Sequence, residues 1–379
     1  MGPLAGIRII EMKGIGPAPY AGMLLADLGA DVIIVERSTK KEGVGASAVD
    51  DPNTRGKKSI ALNLKSEDGL KALLKLIDTA DGLVEGFRPG VAERLGFGPD
   101  VCLARNPKLV FGRMTGWGQS GPLATTAGHD INYISLTGSL AAIGAANKPV
   151  PPLNLLGDYA GGSMFLIMGM LAGFIHAKNT GEGQVIDAAI TDGSASLCAI
   201  LNALSGIGAW TNSRNANLLD GAAHFYDTYE TLDGKFISIG SIEPQFYSLL
   251  IEKANLDPEL FKPQLDQTQW PKLKEHLTGV FKSKTRDEWC EIMEGTDVCF
   301  APVLDYLEAP SHAHNIARET YINVGGAVQP NIAPRFSVTS PKPPEPGVPE
   351  GTHTDTILAE IGLSAAEIAA MYESGAIPA

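Results

Sequence analysis

Residues 7–37 read IRIIEMKGIGPAPYAGMLLADLGADVIIVER, and their apolar positions change period twice. The run IRIIEM is typical of a buried strand, PYAGMLLADLGA has apolar residues at helical spacing, and DVIIVER is typical of a second strand. A second round follows with SIALNL, EDGLKALLKLIDTA and DGLVEGF, and LVFGRMTGWG adds another strand. Strands that alternate with helices in this way predict an α/β domain with a parallel sheet covered by helices.

The texture of the chain changes after this domain. From about Gly221 the alternating residues of FYDTYETLDGKFISIGS surround an Asp-Gly turn and predict a β-hairpin. Helical patterns follow over residues 244–295, and CFAPVLDYLE closes what we predict to be a smaller α+β unit. A length of 379 residues also favours two domains.

Composition limits the possible partners and compartments. A formal charge of −13 argues against a nucleic-acid or anionic-membrane surface, because such surfaces need clustered Lys and Arg. The four cysteines form no Cys-x-x-Cys pair, and His312 with His314 lacks a carboxylate at metal-site spacing, so no disulfide framework or metal site is predicted. No basic segment followed by an apolar one opens the chain, and we expect a cytoplasmic protein.

Residues 164–175, MFLIMGMLAGFI, carry no charge, so we ask whether this segment could span a membrane. This segment is well short of the ~18 to 20 residues that span a bilayer. We therefore predict a buried core helix, with Met164 and Met168 in the core, and no membrane span.

Gly14 and Gly16 follow the first strand, and Glu36 ends the second, which imitates a dinucleotide-binding fingerprint. The third glycine of that motif is replaced by Pro19, and the prolines of GPAP remove amide donors from the turn that would hold a pyrophosphate. The pattern favours the sheet topology of that fold without its cofactor.

Candidate catalytic residues stand where apolar helices begin. His129 and Asp130 precede a helical pattern, Asp158 precedes the apolar helix, and Glu243 lies between a strand and a helix that starts at Pro244. Taken singly, each acid is better explained as a helix cap or first-turn acid that stabilises its helix by about 1 kcal/mol.

Taken together, these residues favour proton transfer next to a carbonyl group. The start of a helix offers unpaired amides and a partial positive charge that hold an anion such as an enolate oxygen. One such donor is typically worth about 3 to 4 kcal/mol to a transition state. A neutral base beside an oxyanion site is the arrangement that proton abstraction α to a carbonyl requires.

Blocks spread over nearly the whole chain resemble the α-methylacyl-CoA racemases, a branch of CoA-transferase family III. They include LLADLGADVIIVER, EGFRPGVAERLG, MTGWGQSGP, GHDINYISLTG, PPLNLLGDYAGGSM and IEPQFY. The GHDINY block is specific to the racemase branch, whereas an Asp that matches Asp158 is also the acyl-carrying nucleophile of the transferases.

The resemblance implies a role for each candidate. His129 and Asp158 match the bases on the two faces of the substrate. Glu243 matches the carboxylate that orients the catalytic His, and the amide of Asp130 matches a donor to the thioester oxygen. Contacts with coenzyme A are implied for Arg37, Leu62, Asn63, Leu64, Lys65, Gly86, Phe87, Arg88 and Arg94, and contacts with the thioester for Gly128, His129, Asp130, Ile131, Asn132 and Tyr133.

The resemblance also implies the architecture and the reaction. We expect a Rossmann-like large domain from residues 1–200 and 319–379, a small α+β domain from residues 222–318, and an interlocked homodimer in which the small domain of one subunit closes the active site of the other. The implied reaction interconverts (R)- and (S)-2-methylacyl-CoA thioesters through an enolate, without metal or other cofactor, since coenzyme A is part of the substrate.

Two alternatives stay open. A CoA-transferase would use Asp158 as a nucleophile and form an aspartyl anhydride, and it would have no need of a second base at His129. A non-catalytic CoA-binding protein would leave His129, Asp158 and Glu243 unexplained together.

Overall fold

The pattern of residues 7–37 forms the centre of a six-stranded parallel sheet in the computed structural model, which describes residues 1–37 and 51–378. The strands of this sheet, in chain order, are β1 (Arg8–Met12), β2 (Asp31–Glu36), β3 (Lys58–Ala61), β4 (Gly82–Glu85), β5 (Val110–Thr115) and β6 (Gln184–Ala189). Their order across the sheet is β3-β2-β1-β4-β5-β6, and every neighbouring pair is parallel. The predicted α/β class with a parallel sheet is confirmed.

Further strands form smaller sheets. They are β7 (Tyr226–Glu230), β8 (Phe236–Gly240), β9 (Phe300–Val303), β10 (Tyr321–Val324) and β11 (Ala327–Pro330), besides the two-residue strands Gly144–Ala145 and Lys148–Pro149.

Helices cover both faces of the parallel sheet and continue through the rest of the described chain. They are α1 (Pro17–Asp27), α2 (Glu67–Ile77), α3 (Val91–Leu95), α4 (Pro99–Arg105), α5 (Asp130–Ser135), α6 (Ser139–Ala142), α7 (Met164–Thr180), α8 (Ile190–Leu197), α9 (Ala199–Gly206), α10 (Pro244–Lys253), α11 (Pro258–Phe261), α12 (Trp270–Phe281), α13 (Arg286–Met293), α14 (Ala313–Ala317), α15 (Thr354–Glu360) and α16 (Ala365–Glu373). A π-helix spans Leu155–Ser163, and short 3₁₀ turns span Pro52–Thr54 and Ala309–Ser311.

The chain divides into two compact units. Unit 1 contains Met1–Thr137, Leu153–Leu197 and Glu319–Ala379, and unit 2 contains Gly138–Pro152 and Cys198–Arg318. The domain boundaries inferred from sequence, 1–200 with 319–379 and 222–318, stay a prediction. They differ from the units over residues 138–152, where Arg214 of unit 2 donates hydrogen bonds to the carbonyl oxygens of Ala141 and Ala145 at 3.0 Å each.

Unit 1 is built on strands that are buried on both faces. In β1, Ile9 and Ile10 are both fully buried although they point to opposite sides of the sheet. Ile10 packs with Ile33 on one side, and Ile9 packs with Val32 on the other. Continuous apolar runs such as IRIIEM are therefore needed, because helices cover both faces.

A buried ion pair lies between β1 and the start of α1. Nζ of Lys57 donates to Oε2 of Glu11 at 2.6 Å and to the carbonyl oxygen of Pro19 at 2.9 Å. The side chains of Lys57 and Glu11 are 0% and 1% exposed. Each of the two charges is stabilised by the other, because both side chains are buried and water cannot take the place of either partner.

Unit 2 contains the predicted hairpin. Strands β7 and β8 are antiparallel, with Tyr226 opposite Gly240 and Glu230 opposite Phe236, and β9 adds on the other side of β8. Gly234 takes a positive φ of 74° in the turn, as the Asp-Gly sequence predicts. The core of this unit is rich in aromatic side chains, among them Phe225, Phe281 and Trp289.

The apolar helix differs from its prediction in length and burial. The π-helix runs directly into α7, so Leu155–Thr180 forms one helical stretch that is long and apolar enough to cross a membrane by length and composition, a test that core helices of soluble proteins also pass. The length estimate counted only residues 164–175 and was wrong. Met164 and Met168 are 42% and 59% exposed, so their predicted place in the core was also wrong, and the absence of a membrane span stays a prediction.

The buried pair generates a test of stability. Replacing Lys57 by Met leaves the Glu11 carboxylate without a partner and should lower the unfolding free energy by about 3 to 5 kcal/mol, measured by urea denaturation. Lys58→Met is the matched control, because Lys58 pairs with Asp31 at 2.8 Å but is 40% exposed, and its loss should cost less than about 1 kcal/mol. Equal effects of the two substitutions would contradict this account.

Candidate active site

A cavity of about 320 Å³ lies in unit 1 at the carboxyl ends of β1, β4 and β5. From β1 the chain adds β2 and β3 on one side of the sheet, and it then crosses to add β4 and β5 on the other side. Loops that follow neighbouring strands diverge at such a reversal and leave a crevice, which is where open α/β sheets bind ligands. The cavity therefore lies where this topology places a binding site.

His129 reaches the cavity from the residue before α5. Its backbone amide donates to Oδ1 of Asn132 at 3.1 Å, which fixes the entry into the helix. The imidazole is exposed and lines the cavity. Among the described residues, the backbone amides of Asp130 and Ile131 have no hydrogen-bond acceptor, as expected for the first turn of a helix.

Asp158 lines the same cavity from the π-helix, a rare conformation that is frequent at functional sites. Gly16, at a positive φ of 80°, lies against it, and a Cβ on Gly16 would be 3.4 Å from Oδ2 of Asp158. The glycine turn that imitates a dinucleotide motif thus lies next to a candidate base.

Burial raises the pKa of Asp158 to about 6, and the charge of Asp130 adds to this effect. A hydrogen bond with Asn154 and the proximity of His129 act in the opposite direction. A carboxyl group with such a pKa can both accept and donate a proton near neutral pH.

Asp130 is not a cap of its own helix. Its carboxylate accepts a hydrogen bond from the backbone amide of Asp158 at 2.6 Å, so it joins the start of α5 to the π-helix. Glu243 precedes α10 but makes no capping hydrogen bond with its side chain. Side-chain capping, one part of the alternative considered for these acids, therefore does not account for Asp130 or Glu243, although Asp130 does stand in the first turn of α5.

Aromatic side chains form one wall of the cavity. The rings of Trp117 and Tyr133 meet edge to face with centroids 4.8 Å apart, and the hydroxyl of Tyr133 donates to the carbonyl oxygen of Gly128. A Cβ on Gly128 would lie 2.7 Å from the Tyr133 ring, so this position has no room for a side chain. Trp117 was not predicted from sequence, although it stands in the MTGWGQSGP block.

The loop Gly86-Phe87-Arg88 after β4 lines another side of the cavity. Glu85, fully buried at the end of β4, accepts from the amide of Phe87 at 2.6 Å and from Nε of Arg113 at 2.9 Å. Sequence reasoning missed Glu85 and Arg113. The signal was a charged residue within each of two buried strands, at the end of β4 and inside β5.

Other residues assigned to coenzyme A lie outside the cavity walls. Leu62 is fully buried in the core, so a contact with coenzyme A at this position would involve its backbone, and the assignment stays a prediction. Asn63 donates from its amide side chain to the carbonyl oxygen of Gly375 at 3.2 Å. Leu64 packs against the same core, and the remaining basic residues are exposed: Arg37, Lys65 and Arg94.

Glu243 lies in unit 2 and is exposed. Within the part of the chain that the structure describes, its carboxylate makes no hydrogen bond or ion pair and is available to a partner. His129, its partner by resemblance, belongs to unit 1.

Neither a dinucleotide nor a metal ion finds a convincing set of partners in the described residues. Glu36, which would bind a ribose, is 2% exposed, and its carboxylate lies 2.9 Å from Nζ of Lys13 and accepts from the hydroxyl of Ser59. Residues 1–37 and 51–378 contain no group of three or more His, Cys, Asp or Glu side chains that could hold a metal ion. That the protein needs no cofactor stays a prediction.

A model of CoA-transferase family III matches residues 4–354 of the chain. The mouse protein named alpha-methylacyl-CoA racemase is 41% identical over 97% of this chain and 96% of its own length, and its human namesake is 41% identical over 96% and 95%. A crystal structure of a hypothetical protein from Mycobacterium tuberculosis has a TM-score of 0.78 at 26% identity, covering 94% of this chain and 99% of that one. The chain therefore belongs to CoA-transferase family III, and it is similar to the α-methylacyl-CoA racemases over nearly its whole length.

Proposed function

We propose that this protein is a racemase that inverts the configuration at C2 of 2-methylacyl-CoA thioesters. The observation that carries the proposal is that His129 and Asp158, two groups able to exchange protons, line one cavity at the switch point of the sheet. The family and the names of the mouse and human relatives support the same reaction.

The reaction needs one base and one acid on opposite faces of the α-carbon. One member of the pair removes the α-proton, and the electron pair of the broken C–H bond moves into an enolate whose negative charge develops on the thioester oxygen. The unpaired amide of Asp130 is the donor that we assign to this oxygen. The other member then delivers its proton to the opposite face. After each turnover the former base is protonated and the former acid is the base.

The family contains CoA-transferases as well, and these are the alternative for Asp158. A transferase would attack an acyl-CoA with this carboxylate, release the CoA thiolate and form an anhydride. That chemistry leaves His129 without a role, whereas a racemase uses both groups.

Coenzyme A would bind through exposed cations around the cavity. Arg88 follows β4 and lines the cavity, and Arg94 lies in the next helix, α3. Arg37 follows β2 directly, and Lys65 precedes α2. Because the net charge of the protein is −13, an anionic nucleotide has to be attracted by local cations such as these.

We infer that the protein acts as an interlocked homodimer in the cytoplasm. Two apolar helix faces in separate units support a second copy as the missing partner. In α7 of unit 1, Met168 and Ile175 are 59% and 64% exposed, and α9 of unit 2 has no buried residue, with Ile200 54% exposed. Apolar surface of this kind is typical of an obligate interface.

Substituting either base tests the reaction. In deuterium oxide, the wild type should racemise one epimer of a 2-methylacyl-CoA and incorporate deuterium at C2, followed by NMR and mass spectrometry. His129→Ala and Asp158→Ala should each lose inversion at least ~100-fold, because one face then lacks its acid or base. Each variant should still exchange the α-proton of the epimer that faces the remaining base, and the two variants should favour opposite epimers.

His314→Ala is the matched control, because this exposed histidine belongs to unit 2 and lies outside the cavity. Transfer of CoA to an added carboxylic acid by the wild type, without deuterium incorporation, would replace the proposed racemase with a transferase.

The pKa of Asp158 generates a pH dependence. Burial raises this pKa to about 6, so Asp158 becomes protonated as the pH falls through that value. A pair in which both groups are protonated contains no base, and kcat/KM should therefore decrease below a pH of about 6. Initial rates from pH 4.5 to 9 measure this limb, and a flat profile down to pH 5 would show that Asp158 is not one of the bases.

Complementation between inactive subunits tests the shared site. Co-expressed His129→Ala and Glu243→Gln subunits should form mixed dimers in which one site combines an intact His129 with an intact Glu243. Random assortment should restore about a quarter of wild-type activity, although each variant alone is nearly inactive. If each subunit supplied both residues to its own site, no activity would return, and a monomeric mass by light scattering would also contradict the dimer.

A further inference from the structure

Asp130 makes a contact that its proposed role as an amide donor does not require. It is the first residue of α5, yet its carboxylate accepts a hydrogen bond from the backbone amide of Asp158 at 2.6 Å. Acids in the first turn ordinarily interact with the amides of their own helix. Here the carboxylate bridges the segments that carry the two proposed bases.

The approach is close enough to exclude a side chain at Gly157. A Cβ on this glycine would lie 2.3 Å from Oδ2 of Asp130, well inside contact distance. The start of the π-helix is therefore shaped around the Asp130 carboxylate.

The Asp130 carboxylate also carries a negative charge, although the hydrogen bond to the backbone requires only an acceptor oxygen. Asp130 is only 7% exposed, and its Oδ1 is buried without a hydrogen-bond partner among the described residues. An asparagine oxygen would accept the same amide hydrogen bond without the cost of burying a charge beside a second acid.

We propose that Asp130 is a positioning residue whose carboxylate ties the Asp158 segment to the His129 segment and whose charge keeps a proton available on Asp158. This inference rests on the proposed racemase reaction. The active form of the pair carries one proton, on Asp158 for one epimer and on His129 for the other. A negative charge next to Asp158 favours the form that has its proton there, and so allows both epimers to be used.

Several other groups lie near the carboxyl group of Asp158. His129 precedes α5, Tyr133 follows one turn later, and Arg88 lies across the cavity in the loop after β4. The acid of α8, Asp192, is exposed. Asp130 is the group that adds a negative charge next to Asp158, and it increases the pKa of that carboxyl group together with burial.

Asp130→Asn separates charge from hydrogen bonding. The amide oxygen still accepts from the backbone, but the charge is gone, so the acid limb of kcat/KM should move to lower pH by about 1 unit. Both epimers should show the same displacement, because the equilibrium constant between them does not depend on pH. Asp130→Ala loses the acceptor as well and should lower kcat at least tenfold with a smaller change in KM.

Asp100→Asn is the matched control, since Asp100 is an exposed first-turn acid of α4 in the same unit. Its profile should coincide with that of the wild type. An unchanged acid limb in Asp130→Asn, at an unchanged thermal midpoint, would overturn the inference and leave Asp130 a purely structural residue.

Gly157→Ala provides a second test that keeps every charge. Its methyl group must displace the Asp130 carboxylate, and the acid limb should again move to lower pH. If Asp130→Asn does not fold, this variant decides the question, because an unmoved limb would overturn the inference. Wild-type protein without α-deuterium incorporation would instead contradict the proposed function, so the two failures are distinguishable.

Discussion

The parallel pairing of β1 with both β2 and β4 is the constraint on which the candidate site depends. Because Arg8–Met12 pairs with Asp31–Glu36 on one side and with Gly82–Glu85 on the other, the chain must leave β1 and β4 in different directions. The glycine turn after β1, the loop after β4 and the end of β5 line the crevice that results. His129 and Asp158 come from segments that have no place in the sheet, and they meet at this crevice.

Two buried carboxylates, Glu85 and Asp130, lie beside the crevice, and each accepts a hydrogen bond from a backbone amide. Glu85 accepts from the amide of Phe87 and pairs with Arg113, and Asp130 accepts from the backbone amide of the proposed base Asp158. The two acids have different consequences. Arg113 compensates Glu85, whereas Asp130 has no basic partner among its interactions and so influences the protonation of Asp158.

The exposed surfaces of the chain complement this picture. The apolar faces of α7 and α9 are exposed, and the carboxylate of Glu243 has no partner among the described residues; the proposed interlocked dimer would cover the faces and supply that partner. Such a dimer would make activity depend on assembly, because a residue of one subunit would complete the pair of the other. In the proposed dimer, the apolar length of Leu155–Thr180 would serve an interface.

Local patterns were sufficient for the parallel sheet, the hairpin of β7 and β8, and the positions of His129 and Asp158 at helix starts. Hydrophobic period and turn residues report backbone conformation within a short window, and these features are local. The burial of Leu62, the exposure of Met168, the pairing of Glu85 with Arg113 and the bond from Asp130 to the amide of Asp158 did not follow from any pattern. Each joins or separates residues that are distant along the chain, so only strand register and helix packing could decide them. The sequence thus specified which groups are available for proton transfer, while the tertiary structure decided which of them share one cavity and how burial and a neighbouring charge adjust their acidity.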